Sequence, residues 1–347
     1  MKTSHRVNSF DALRLLAAWL VILGHGFILA GHPELVPRFG GLDAPVLGVA
    51  IFFTISGFLI WKSWFAASSW QDFVTARTLR IFPALIVVVV VTTFLLGPLV
   101  TTLSTPEYFQ SGETYRYLVN AVIVDPQYTL PGVFQAQPFT TAVNGSLWTL
   151  RVELFCYVLV PVFGFLSKRI RPIVLAIAGV GLLVYGMSAP VILFDSNTTA
   201  AGLYIGFFML GALVADAKWA TQRSVLVPLA LVAAWIALTA LGLPIANVVG
   251  LACFAIALIK VASLNIPVVR RASRFGDLSY GTYLVAFPIQ QVLLLVVPGL
   301  NVWAGIGAVI ALSGVFAWIL WNTVEARALA ARFVVGAILK REKATPA

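Results

Sequence analysis

The 347-residue sequence is poor in charge, since charged residues make up 10% of it and hydrophobic residues 60%. In a soluble globular protein about a quarter of the residues are charged. The composition therefore argues against a soluble protein and predicts a polytopic membrane protein. Lys and Arg (23) outnumber Asp and Glu (13). In a membrane protein this excess indicates topogenic charge on cytoplasmic loops rather than nucleic-acid binding.

Other features are scarce or absent as well. The two cysteines, Cys156 and Cys253, both lie in apolar segments, which argues against a disulfide framework and leaves no CxxC spacing. Phosphate-binding loops, zinc-ligand spacings and a GxSxG nucleophile elbow are missing, so we expect no metal. We find no internal repeat of the kind that builds transporters from two related halves.

Long apolar runs dominate what is present. Ten of them are long enough to cross about 30 Å of hydrocarbon, which predicts an all-α protein with about ten transmembrane helices. The break between the seventh and eighth runs is weak, so eleven spans, or nine with a re-entrant piece, remain alternatives. The first run is read as a retained signal anchor. The runs are 10–31, 45–64, 81–103, 146–166, 172–192, 200–216, 225–243, 246–263, 278–298 and 302–324.

The distribution of basic residues predicts the orientation. With both termini in the cytoplasm, only Arg38 and Arg116 among the basic residues lie outside, and Arg14 and Arg151 are the arginines within spans. Such an asymmetry is typical of cytoplasmic loops and supports ten helices with both ends inside. Residues 1–330 then form one integral-membrane domain and residues 331–347 a basic cytoplasmic tail. The long external loop 104–145 either shapes an acceptor site or is a passive cap.

The first span contains two ionisable residues, Arg14 and His25. An ionisable group at membrane depth costs about 2.5 kcal/mol or more and usually has a function. On a helix the two residues would lie about 20° apart in azimuth and about 16 Å apart along the axis. This spacing predicts a polar path from the cytoplasmic surface into the bilayer.

Three further charged residues are candidate site residues. Arg77 and Arg80 would share a helix face at the cytoplasmic boundary, where they suit either a phosphorylated ligand or a positive-inside anchor. Glu153 lies two turns inside the fourth span, and we expect it to face the interior against His25 or an arginine. For Asp277 and Glu325, beside later spans, capping and charge pairing are expected. Ser56 and Gly57 are read as packing residues.

Several of these segments resemble, in order along the chain, the motifs of the acyltransferase 3 family of bacterial integral-membrane acyltransferases. They begin with Arg14, ten residues and His25, followed by the second-helix signature. Two late blocks depart from the family pattern, since Ala286-Phe287-Pro288 lacks a His before the Pro and no Pro closely follows Glu325. The matching segments after His25 are the second-helix signature Phe52–Ile60, then Arg77–Pro83, Ser146–Tyr157, Leu278–Leu284 and Trp321–Glu325.

The resemblance implies a membrane O-acyltransferase, most simply an O-acetyltransferase, in the bacterial inner membrane. Its donor would be cytoplasmic acyl-CoA, with acetyl-CoA as the expected form, and its acceptor a hydroxyl of a surface glycan or related molecule. Arg77 and Arg80 would hold coenzyme phosphates with help from Arg14. His25 would act as general base or carry the acyl group, and Glu153 would orient it. An appended esterase-like domain, present in some relatives, is not expected.

Two other functions fit the residues alone. In a transporter or flippase, Arg14, His25 and Glu153 would form a substrate or proton path. A non-catalytic scaffold would explain the helices but not the buried ionisable groups.

Overall fold

A computed structural model describes residues 9–138, 141–188, 201–218, 224–264 and 276–331, most of which are helical. Seven helices are long and apolar enough to cross a membrane, and three shorter apolar helices cover 171–187, 201–216 and 226–240. The all-α polytopic fold is therefore confirmed. The count of ten spans and the side on which the termini lie stay predictions. Of the predicted tail 331–347, all but Ala331 falls outside the described residues.

The helices are named in chain order. They are α1 (Ser9–Leu29), α2 (Ala44–Ala66), α3 (Trp70–Val91), α4 (Gly97–Val100), α5 (Thr105–Gln110), α6 (Gly112–Arg116), α7 (Trp148–Gly164), α8 (Arg171–Ser188), α9 (Ala201–Asp216), α10 (Leu226–Ala240), α11 (Pro244–Ser263), α12 (Ser279–Val296) and α13 (Val302–Leu320). Short 3-10 segments cover Pro33–Leu35, Tyr117–Ala121 and Gly145–Leu147, and π-helical turns cover Thr92–Leu96 and Trp321–Glu325.

The chain forms two compact units. The first comprises Met1–Phe65 and Trp148–Ser279, and the second comprises Ala66–Leu147 and Tyr280–Ala347.

Helix α9 is the core of the first unit. Its residues from Ala201 to Val214 are all buried, as expected for a helix that is hydrophobic on every side. It packs against α7, α8 and α11. Helix α2 also contacts it closely, because a Cβ on Gly57 would lie 2.0 Å from the Phe208 carbonyl oxygen and one on Gly211 would lie 2.1 Å from that of Thr54. Only glycine allows this backbone contact.

A two-stranded hairpin follows α1 in the first unit. Strands β1 (Arg38–Phe39) and β2 (Leu42–Asp43) pair antiparallel, and the turn between them is Gly40-Gly41 with φ of 52° and 81°. Positive φ at both central residues is what a two-residue hairpin turn requires.

An ion pair joins the ends of three helices in the same unit. Arg171 at the start of α8 pairs with Asp216 at the end of α9, and the two side chains are only 10% and 7% exposed. The Trp61 indole of α2 donates to the same carboxylate at 3.2 Å. The three ends therefore lie together, so α2 and α9 run opposite to α8.

The long loop after α3 is folded within the second unit. It contains α5, α6 and the 3-10 segment Tyr117–Ala121, and its buried side chains include Tyr108, Tyr117, Asn120 and Phe134. Burial raises the pKa of Tyr108 to about 12 and also raises that of Tyr117, so both hydroxyls remain protonated hydrogen-bond donors at physiological pH. The loop has a core of its own.

A proline in α4, which continues the helix beyond α3, creates one anchor for this loop. In the π-helical turn the Gly97 N–H bonds the Thr92 carbonyl, and the next residue, Pro98, has no N–H to offer the Thr93 carbonyl. The Tyr108 hydroxyl donates to that carbonyl at 2.8 Å. The loop therefore supplies a hydrogen bond that the helix cannot make.

A second proline creates an anchor on α12. Pro288 lacks the N–H that would bond the Leu284 carbonyl four residues earlier. The Asn144 side-chain amide donates to this carbonyl at 2.8 Å. Gln291, one turn further on, donates to the Ala142 carbonyl at 2.8 Å. The end of the loop is thus fixed along α12.

Glycine substitutions test the α2–α9 contact. We expect Gly57→Ala to lower the free energy of unfolding by about 1–3 kcal/mol, because the new methyl group meets a backbone carbonyl that cannot move aside. Gly181→Ala in α8 is the matched control, since nothing lies within 4 Å of its Cβ position. It should be neutral or stabilise by up to about 1 kcal/mol. Thermal unfolding in detergent measures both, and a Gly57→Ala protein as stable as wild type would contradict the contact.

Candidate active site

Arg14 and His25 lie on one unbroken helix, α1. Their predicted common face therefore follows from helical geometry. The residue before His25, Gly24, lies against α2, because a Cβ there would be 2.1 Å from Pro45 Cδ. His25, which is half-buried, is thus held next to a close approach of two helices.

Arg14 is oriented by a carboxylate. Its guanidinium donates to Asp277 at 3.1 Å, and the side chains are 17% and 11% exposed. The other Asp277 oxygen accepts from the Ser279 backbone N–H at 3.2 Å and from the Ser279 hydroxyl. Asp277 therefore caps the first turn of α12 while it pairs with Arg14, which confirms the expectation of capping and charge pairing.

Glu153 is held by two hydroxyl groups. The same carboxylate oxygen accepts from Ser56 at 3.1 Å and from Tyr157 at 2.6 Å. Within the described part of the chain, no hydrogen bond or ion pair joins Glu153 to His25 or to an arginine, so the direct contact expected from the sequence is not found. Ser56, expected only to pack, is one of the two donors.

Arg77 and Arg80 lie one turn apart on α3. Arg80 donates to Glu325 at 2.9 Å, where the side chains are 19% and 2% exposed. Its guanidinium also lies 5.4 Å from the centroid of the Tyr280 ring. The expected charge pairing of Glu325 is thereby confirmed, and it fixes Arg80 in one orientation.

Glu325 lies in the π-helical turn Trp321–Glu325, which packs against α3. Such turns are rare and occur frequently at functional sites. The Tyr280 hydroxyl also bonds α3, at the Ile81 carbonyl, 2.8 Å away. The contacts around Arg80 therefore come from Tyr280 of α12 and from Glu325 in the π-helical turn that follows α13.

The candidate residues fall into two groups. Arg14, His25 and Glu153 belong to the first unit, and Arg77 and Arg80 belong to the second.

Among the described residues, no group of three His, Cys, Asp or Glu side chains is placed to hold a metal ion.

Local spacing could have identified one of the missed partners. Tyr157 follows Glu153 by four residues, a spacing at which helical side chains meet. The pairings Arg14–Asp277 and Arg80–Glu325 span 263 and 245 residues. No local spacing predicts contacts of that range, so the structure was needed to identify the partners.

Comparison with known proteins gives a family match. The family model described as "Acyltransferase domain", that of acyltransferase 3, matches residues 7–322. A protein of Shigella phage Sf6 named "O-acetyl transferase" is 32% identical over 306 residues, which cover 84% of this chain and 86% of that protein. "Nodulation protein 10" of Rhizobium leguminosarum bv. viciae is 35% identical over 192 residues, or 52% of this chain and 50% of that protein. No solved structure matches.

A double-mutant cycle tests the Arg80–Glu325 pair. We expect Arg80→Met and Glu325→Gln each to destabilise by about 3–5 kcal/mol, since each leaves a buried charge without its counterion. The double variant should lose less than the sum of the two. The exposed pair Arg38–Asp43, with side chains 69% and 49% exposed, is the control, and its coupling should stay below about 1 kcal/mol. Additive losses at Arg80 and Glu325 in thermal unfolding would show that the pair is not coupled.

Proposed function

The chain belongs to the acyltransferase 3 family and is a membrane O-acyltransferase, and on this basis we propose that it moves an acetyl group from cytoplasmic acetyl-CoA to a hydroxyl of a surface glycan. One observation carries the proposal. The single helix α1 places Arg14 near one end and His25 about 16 Å further along the same face. Arg14, a charged group that could bind the donor, and His25, a titratable group that could act in acyl transfer, thus lie on one face of the same helix.

On the donor side, we assign the coenzyme phosphates to Arg77, Arg80 and Arg14. A guanidinium has five N–H donors in a planar fork that matches phosphate. Asp277 pairs with Nη1 of Arg14, which orients the guanidinium. Glu325 orients Arg80 in the same way and offsets part of its charge.

At the reacting end, His25 acts on the acceptor hydroxyl. The imidazole takes the hydroxyl proton while the oxygen attacks the thioester carbonyl. The C–S bond then breaks, and the leaving coenzyme thiolate receives the proton. In the alternative form, an imidazole nitrogen attacks the thioester carbonyl, and the C–S bond breaks to release the coenzyme thiolate. The acceptor hydroxyl then attacks the acyl-imidazole, which frees the imidazole, and the hydroxyl proton goes to the thiolate. A labelled acyl-enzyme trapped in the absence of acceptor distinguishes the second form from the first.

Glu153 is the second catalytic candidate. Because Ser56 and Tyr157 hold one of its carboxylate oxygens, its position relative to α2 is fixed. Any influence on the His25 imidazole acts through the electrostatic field or through bound acceptor, since no direct hydrogen bond joins the two groups in the described residues. Glu153 is thus proposed to favour the cationic imidazole that forms during proton transfer.

The acceptor and location are inferred from the relatives. The Shigella phage protein is named as an O-acetyl transferase, which supports an oxygen acceptor and an acetyl donor. A bacterial inner membrane fits a chain with several membrane-spanning helices and a cytoplasmic donor. A surface sugar is the proposed acceptor, and it would meet the loop between α4 and α7.

Replacing His25 tests the chemistry. We expect His25→Ala to lower acyl transfer by about 10²–10⁴-fold, the usual contribution of a general base. Coenzyme release and acceptor labelling from radiolabelled acetyl-CoA in proteoliposomes measure it. His32→Ala is the matched control, because His32 lies in an exposed loop with its side chain 52% exposed, and it should retain full activity. Unchanged transfer in His25→Ala would refute the mechanism.

Replacing Arg77 tests the donor site. Losing a charged hydrogen bond of about 1.5–3 kcal/mol should raise KM for acetyl-CoA about 10- to 100-fold in Arg77→Ala. The same variant should show no change with S-acetylpantetheine, which has no phosphate groups. Arg116→Ala, an exposed arginine in the long loop, is the control. An equal KM increase with both donors would mean that Arg77 does not contact phosphate.

A further inference from the structure

The loop that follows α3 carries an exposed apolar stripe. Tyr115, Val119 and Val122 recur at a spacing of four and three residues across α6 and the following 3-10 segment, and they are 48%, 37% and 54% exposed. Val124, two residues further on, is 66% exposed. Apolar side chains at helical spacing normally face a core, yet these face outward.

The stripe continues the lipid-facing side of α3. Phe94, in the π-helical turn that continues α3, is 41% exposed; its ring lies 6.5 Å from the Tyr115 ring between centroids and stacks on Phe109 at 6.4 Å. On the same helix, Ile86, Val90 and Leu95 are 44%, 40% and 58% exposed. Since the continuous helix Trp70–Val100 is long and apolar enough to cross a membrane, we expect these side chains to face acyl chains.

The loop folds back to the depth of the bilayer. The helix that contains α3 and α4 runs from Trp70 to Val100. Its apolar part beyond Arg80 is about 30 Å long, which equals the hydrocarbon thickness. Phe94 lies six residues before Val100, or about 9 Å below that end. Amphipathic segments at membrane surfaces are buried to about 5–10 Å, so the contacts at Phe94 lie in this range.

The other side of the segment is polar. Gln110, Glu113 and Arg116 are exposed, and Ser104 forms a capping box with Glu107 at the start of α5. Hydrogen bonds from the Ser104 hydroxyl and backbone N–H hold the pKa of Glu107 below its usual range, so this side keeps a negative charge. A segment with one charged side and one apolar side fits a water–lipid boundary.

We propose that residues 103–124 form an interfacial anchor, a re-entrant segment that lies in the headgroup layer with Tyr115, Val119 and Val122 against the acyl chains beside α3. The partner is the bilayer that holds the protein. A glycan is a poor fit for this side, because the valines offer no hydrogen bond to sugar hydroxyls. The anchor is independent of the acyl donor and of the role of His25.

Spin labels test the anchor in proteoliposomes. Single cysteines replace Val119 and Val122 on the stripe, Val90 on α3 as a lipid reference, and Gln110 and Glu113 as matched polar controls. The parent carries Cys253→Ala, and its remaining Cys156 is fully buried, so the labelled parent supplies the background. Relaxation enhancement by oxygen, which dissolves in acyl chains, is compared with enhancement by a water-soluble nickel chelate.

The Val119→Cys and Val122→Cys labels should match the Val90→Cys label, with oxygen enhancement exceeding nickel enhancement. The Gln110→Cys and Glu113→Cys labels should show the opposite order. Nickel accessibility at Val119 and Val122 equal to that of the polar controls would overturn the anchor. Dipolar broadening that vanishes on dilution with unlabelled protein would overturn it too, since a second copy would then cover the stripe. Two independent stripe positions keep the test valid if one variant does not fold.

Discussion

The second unit depends on satisfying backbone carbonyls that proline leaves without a donor. Inside a bilayer each unsatisfied backbone group costs several kcal/mol, because no water is present to bond it. Pro98 and Pro288 expose the carbonyls of Thr93 and Leu284, and side chains of the long loop, Tyr108 and Asn144, bond them. The loop is therefore a structural part of the membrane domain rather than a passive connection.

Carboxylate–guanidinium pairs play a corresponding role at the helix ends. Arg171 with Asp216 joins two consecutive helices. Arg14 with Asp277 and Arg80 with Glu325 join elements 263 and 245 residues apart. Two of these pairs include arginines that we assign to the donor. A side chain already held in one orientation loses less conformational entropy when a phosphate binds. The same contacts that stabilise the fold thus preorganise the proposed site.

Much of the fold and part of the candidate site could be predicted from the sequence. Long apolar runs predict the helices, and the spacing of Arg14 and His25 predicts their common face, because both depend on local periodicity. The partners of Glu153 were not predicted: depth alone indicated an interior acid, but Ser56 lies 97 residues away. The folded state of the loop was not predicted either. Tyr108 and Asn144 bond carbonyls that lack a donor because of prolines on other helices, and no local pattern reveals such a pairing.

The bond between Asn144 and Leu284 has a consequence for biogenesis. The two residues are 140 positions apart, and a ribosome adds about 5–20 residues per second. The end of the loop therefore waits about 7 to 28 s for its binding partner on α12 to be synthesised. The α3 anchor through Tyr108 needs only residues already made, so one end of the loop is fixed early and the other end late.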